Sequence, residues 1–155
     1  MNSMLGSEKI YRQNAAVIVT DGNGHVLLCE RIEPRVVQTV QGGIDAGESA
    51  FNAACRELEE ELGIGPNEYK MTESLIETYT YEWDDLVKKK SKKYHGQRQH
   101  FFLAKVDPKT TFNLSKYHPE FSRVWWGTPE EMIERAWPVK RPGIEAAINA
   151  FKKHY

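Results

Sequence analysis

Three acidic side chains, Glu57, Glu60 and Glu61, stand at i, i+3 and i+4. On a helix that spacing brings their carboxylates to one side. Like charges so close repel one another, and a hard divalent cation removes the repulsion. Magnesium prefers oxygen ligands and is usually shared with substrate phosphates. Arg56 lies four residues before Glu60, where its guanidinium can pair with a carboxylate and fix its rotamer. Taken alone, the three glutamates read equally well as a solvated acidic helix face.

The flanking residues define the element that carries them. Gly42, Gly43, Asp45 and Gly47 signal a loop. Ser49 is a candidate N-cap, and Glu48 adds negative charge at the positive end of the helix. Phe51, Ala54, Cys55, Leu58 and Leu62 recur at helical spacing and form an apolar face. Gly63 suits the left-handed position after the last turn, with Ile64 packing back.

With this spacing complete, Gly42, Glu48, Arg56, Glu57, Leu58, Glu60, Glu61, Gly63 and Ile64 resemble the signature box of the Nudix hydrolases at every defined position. The resemblance implies Mg²⁺-dependent hydrolysis of a nucleoside diphosphate linked to another group. It also implies an α/β/α sandwich built on a mixed β-sheet.

Composition bounds the rest. The 155 residues suffice for one domain with a real core, residues 1–9 forming a flexible terminus. No apolar run approaches the roughly 20 residues of a membrane helix, and residues 1–9 hold no secretory apolar stretch. No membrane association and a cytoplasmic location are therefore expected. Cys29 and Cys55 read as reduced core residues. A net charge of −1 argues against electrostatic binding of nucleic acid by the whole surface.

In chain order, Ile10–Val19 reads as a strand, Asp21–Gly24 as a turn, and His25–Glu30 as the returning strand of a hairpin. Val36–Val40 reads as a short strand and Met71–Trp83 as one long strand, with Leu75, Glu77, Tyr79, Tyr81 and Trp83 on one face. Asp84–Tyr94 is a polar insertion carrying Lys88, Lys89, Lys90, Lys92 and Lys93. Strands follow over Gly96–Val106 and Phe121–Trp126. Thr128-Pro129 opens a helix to about Ala136. Pro138 and Pro142 interrupt, and Gly143 to about Lys153 closes the chain as a helix with Ile144, Ala147, Ile148 and Phe151 inward.

Flanking motifs narrow the resemblance. Tyr11-Arg12-x-Asn14, Gln41-Gly42-Gly43, Gly96-Gln97-x-Gln99 and Pro119-Glu120-Phe121 occur in one order. Together they resemble the RNA pyrophosphohydrolases and dinucleoside tetraphosphate (Ap4A) hydrolases of the Nudix superfamily. This implies that Arg12 and Arg31 hold substrate phosphates, as forked guanidinium groups suit. It implies too that Glu120 is a fourth carboxylate at the metals. Lys140 matches as a substrate contact. The expected tryptophan and proline before Gln41 are absent, and Val139 stands where an aromatic is expected. The lysine run reads as a solvated tip or as a guide for an RNA 5′ end. Tyr79, Tyr81, Trp83 and Tyr94 are candidates for base stacking, although such aromatics are more often core residues. The five histidines show no metal-ligand spacing.

The expectation is a pyrophosphohydrolase that removes pyrophosphate from the 5′ triphosphate of RNA, initiating mRNA decay. Two or more Mg²⁺ ions, with Mn²⁺ as substitute, would sit on Glu57, Glu60, Glu61 and Glu120, with a main-chain carbonyl of Gln41 or Gly42. They would neutralise the phosphate chain and acidify a water. Glu57 or Glu120 would orient or deprotonate that water. Glu48 and Arg56 would hold loop and helix in register. The alternatives are hydrolysis of Ap4A or of (d)NTPs and, in a different class, a non-catalytic nucleotide sensor or RNA-binding module. A sensor has no need of all three helix glutamates.

Overall fold

The structure, a computed structural model, describes residues 9–72, 76–91 and 93–154. In chain order the elements are β1 Tyr11–Thr20, β2 Val26–Arg31, β3 Val37–Gln38, β4 Val40–Gly43, α1 Ala50–Leu62, β5 Tyr69–Met71, β6 Glu77–Glu82, α2 Asp85–Ser91, β7 Gly96–Val106, β8 Phe121–Gly127, α3 Pro129–Arg135 and α4 Arg141–His154. β1 is buried without interruption from Asn14 to Thr20, as a strand covered on both faces must be. It pairs in parallel with β7, from Tyr11↔Gly96 to Thr20↔Lys105. Antiparallel partners complete a mixed sheet: β4 and β2 on β1, β3 and β8 on β2, β5 and β6 on β7.

Successive residues of β1 and β7 point to opposite faces, so the sheet divides two cores. Ala15, Val17, Val19, Phe102 and Ala104 pack under α1 with Ala54, Leu58 and Leu62. Ala16, Ile18, Phe101 and Leu103 meet Met132, Ile144, Ala147, Ile148 and Phe151 of α3 and α4. This is the expected sandwich of helices on a mixed sheet. The caps fall as expected. Ser49 accepts from the Asn52 amide at 3.0 Å, Thr128 accepts from Glu131, and Gly63 takes φ +70°.

Several expected elements are corrected. The strand read over Val36–Val40 is two, because the chain changes partner at Thr39 from β2 to β1. β4 then runs on through Gly42 and Gly43, which are strand residues rather than loop. The long strand over Met71–Trp83 is β5 and β6. Met71 and Glu77 are six positions apart in the chain, but their partners Ala104 and Phe101 are only three apart. A continuous ladder cannot absorb the difference. Leu75 lies outside the described residues, as do Lys92 and the expected flexible terminus except for Lys9, which pairs with Glu82. The polar insertion contains α2. Pro142 does not interrupt α4 but lies in its first turn, where a missing amide hydrogen costs little.

The hairpin turn holds, with Asp21 Oδ1 accepting from the Asn23 and His25 amides, yet β1 and β2 share only the Thr20↔Val26 pair. Cys29 is buried and Cys55 half-buried, both as free thiols. Among the described residues no helix is long and apolar enough to cross a membrane.

Leu58 anchors α1 and is fully buried. Leu58→Ala should lower unfolding stability by about 2–5 kcal/mol, read from urea denaturation. A loss under about 1 kcal/mol would show that α1 is not held by this contact.

Candidate active site

α1 presents its apolar face to the core, yet Glu57 and Glu61 are also nearly buried, at 7% and 5% exposure. Arg56 organises the acidic side. Its Nε lies 2.8 Å from Glu48 Oε2 and its Nη2 lies 2.9 Å from Glu48 Oε1, a forked pair. The same Nη2 donates to the Gly43 carbonyl at 2.8 Å. Nη1 donates to Glu57 at 2.8 Å and approaches Glu60 at 3.3 Å. One guanidinium thus ties the β4 end, the loop and the helix together. Glu48 also accepts from the Asp45 amide. Its carboxylate therefore also braces the loop just ahead of the N-cap Ser49.

A side chain at either glycine of β4 would displace a site residue. A Cβ at Gly42 would overlap the Glu57 carboxylate, and one at Gly43 the Arg12 guanidinium. The Gln41 amide donates to Glu61 Oε1 at 2.8 Å. Gln99, 1% exposed, donates through Nε2 to Gln41 Oε1 at 2.9 Å and to Asn14 Oδ1 at 3.3 Å. It fixes the Gln41 side chain from beneath.

Charges here are strongly perturbed. Burial, then the Glu60 charge, raises the Glu57 carboxyl to about 7 against the pull of Arg56. Burial raises Glu61 well above the ordinary range despite the Gln41 amide, and Glu57 and Glu120 add to the effect. Glu48 is drawn down to about 2 by Arg56. Lys140 is lowered to about 8, by burial first and then by Arg31 and Arg12.

The expected residues converge on two adjoining cavities. Glu57, Glu60, Glu61 and Glu120 line one of about 340 Å³. Arg12, Arg31 and Lys140 line another of about 620 Å³. Gln41, Gly42 and Glu120 border both. Among the described residues no three acidic, histidine or cysteine side chains are already grouped as a metal site. Arg56 and the Gln41 amide instead occupy the glutamates.

Sequence reading missed Trp137. Its ring lies 4.8 Å from the Arg31 guanidinium and 5.7 Å from Lys140 Nζ. The aromatic sought before Lys140 is present, but three positions before it rather than one. Of the four candidate stacking residues, Tyr81 and Trp83 line the cationic cavity. Tyr79 packs against the α4 core and Tyr94 faces a neighbouring cavity. His118, given no role, borders the carboxylates from the same loop as Glu120.

The NUDIX domain model matches residues 10–147. The chain belongs to the Nudix family. Related Nudix proteins agree along its length. An "RNA pyrophosphohydrolase" of Roseobacter denitrificans is 33% identical over 152 residues, covering 93% of each chain. One from Campylobacter jejuni subsp. doylei is 33% identical, over 96% of this chain and 89% of the other. "Nudix hydrolase 25" of Arabidopsis thaliana is 32% identical, over 91% and 86%. A C. elegans Ap4A hydrolase structure superposes with TM-score 0.69 at 20% identity, covering 93% of this chain and 99% of that one. At that identity the likeness concerns the fold. The protein is a hydrolase of the Nudix family, whose members generally use divalent metals.

Glu57 makes the cation-free protein pH-sensitive. Its carboxyl ordinarily titrates at 4.5 and in the folded state at about 7. Between these the native state holds more protons than the unfolded one, so stability falls as pH rises. Glu57→Gln should remove part of that decline, and a divalent cation should stabilise the wild type increasingly as pH rises. Thermal midpoints from about pH 4.5 to 7.5 check this. Equal slopes for variant and wild type would contradict the assignment.

Proposed function

We propose that this Nudix hydrolase is an RNA pyrophosphohydrolase that releases pyrophosphate from the 5′ triphosphate of RNA. The observation that carries this reading is that the two cavities share Gln41, Gly42 and Glu120 in their walls. It places a cationic, aromatic cleft beside a carboxylate cluster. A nucleotide polyphosphate matches that order, with its phosphates between base and reacting end. Relatives named RNA pyrophosphohydrolase that cover nearly the whole chain support the choice of RNA. A cytoplasmic location belongs to this reading.

The donor set fits a hard cation. Glu57, Glu60, Glu61 and Glu120, with a carbonyl of Gln41 or Gly42, are all oxygen donors, as Mg²⁺ or Mn²⁺ prefers. The raised carboxyls of Glu57 and Glu61 mark charge that burial leaves uncompensated. When bound, such ions, two or more with substrate, neutralise phosphate charge and acidify water. The chain's own residues do the rest. Arg12, Arg31 and Lys140 orient the phosphates as fixed cations. Trp137, Tyr81 and Trp83 offer aromatic surface for the bases. Glu57 or Glu120 takes the proton of the attacking water. Arg56 and Glu48 hold loop and helix in register, so that Gly42 keeps its contact with Glu57.

Glu57→Gln and Glu61→Gln should each lower kcat by orders of magnitude with the fold retained, and EDTA should abolish turnover. Near-normal Mg²⁺-dependent turnover in both variants would falsify the cluster's role. Glu120→Ala should lower kcat more than it raises KM, as for a group acting in the transition state. Triphosphorylated RNA, Ap4A and (d)NTPs assayed side by side should give the highest kcat/KM with RNA, with pyrophosphate as product. A preference for Ap4A would assign the protein to dinucleotide hydrolysis.

A further inference from the structure

α2 contains no buried residue. It is nonetheless continuous with the cationic cavity, whose wall includes Trp83, Asp84 and Val87 alongside Arg12, Trp137 and Lys140. Residues 84–93 hold five lysines against two aspartates in a chain of net charge −1. Of the acidic groups nearby, Glu82 is fully paired, and Asp85 is the one carboxylate in α2. The two oxygens of Glu82 take Lys88 at 2.9 Å and Lys9 at 2.6 Å. Asp84 Oδ1 accepts from the Val87 amide. Lys89, Lys90 and Lys93 are exposed, and none has an ion-pair partner among the described residues. Lys93 lies 5.1 Å over the Tyr94 ring.

Lysines late in a helix do complement its dipole. In a helix this short and without buried contacts that effect is small, and it does not account for lysines gathered on a helix that contributes Val87 to the wall of the cationic cavity. Resting on the pyrophosphohydrolase reading, we infer that Lys89, Lys90 and Lys93 form a track for the RNA backbone downstream of the 5′-terminal nucleotides. The RNA leaves the cavity past Val87, and its next phosphates meet these ammonium groups. Lys88 is not part of the track, because it is held by Glu82.

The test compares a triphosphorylated dinucleotide with a long single-stranded triphosphorylated RNA across a range of salt. For single strands each neutralised phosphate contributes a slope of about 0.7 in log affinity against log salt. Near 0.1 M salt that corresponds to about fivefold in KM for each phosphate left without its lysine. Combined Lys89→Gln, Lys90→Gln and Lys93→Gln substitutions should raise KM for the long RNA accordingly and flatten its salt dependence by about 2. Values for the dinucleotide and the thermal midpoint should be unchanged. Lys→Arg at all three positions should retain the wild-type salt slope. Equal changes in KM for both RNAs, or an unaltered salt slope, would overturn the track and leave the pyrophosphohydrolase reading intact. Failure of the wild-type protein to release pyrophosphate from either RNA would overturn both.

Discussion

The site depends on the fork between Arg56 and Glu48. Its two charge-assisted bonds, at 2.8 and 2.9 Å, clamp the loop after β4 to the side of α1. Hydrogen bonds to charged groups contribute roughly 1.5–3 kcal/mol each, enough to order a short surface loop. The same guanidinium reaches the Gly43 carbonyl and Glu57. Strand end, loop and helix therefore move as one unit. Glu57 is consequently held so close to Gly42 that a side chain there would displace its carboxylate.

Against this clamp the structure sets unbalanced charge. The glutamates of α1 are more buried than their pairing supports, and Glu57 and Glu61 hold protons too strongly for ordinary carboxylates. Across Gly42 and Gly43, Arg12, Arg31 and Lys140 crowd together, and Lys140 loses its proton more readily than a free lysine. The two imbalances are opposite in sign and face each other across the β4 edge. The whole chain is close to neutral, so the segregation is local.

The two glycines of β4 have a steric rather than a conformational purpose. Neither takes a positive φ, and both pair within the sheet with β1. Without a Cβ they let the Glu57 carboxylate and the Arg12 guanidinium lie against the strand. Buried Gln99 holds the preceding Gln41 side chain, so the sheet itself positions the edge shared by the two cavities.

The α1 unit was legible in the sequence nearly to the residue, because cap, apolar face, acidic face and stop follow from local periodicity and glycine stereochemistry. The strand at β1 and the inward face of α4 were equally local signals. The tertiary structure decided everything that depends on register between distant strands. It split Met71–Trp83 at a mismatch with β7 and divided Val36–Val40 between two partner strands. It placed Trp137 between Arg31 and Lys140, and it sent Tyr79 to the core while Tyr81, two residues on, reached the cleft. Periodicity reports which face of an element a residue occupies. Which neighbour covers that face is set by pairings between residues far apart in the chain, and no local pattern encodes those pairings.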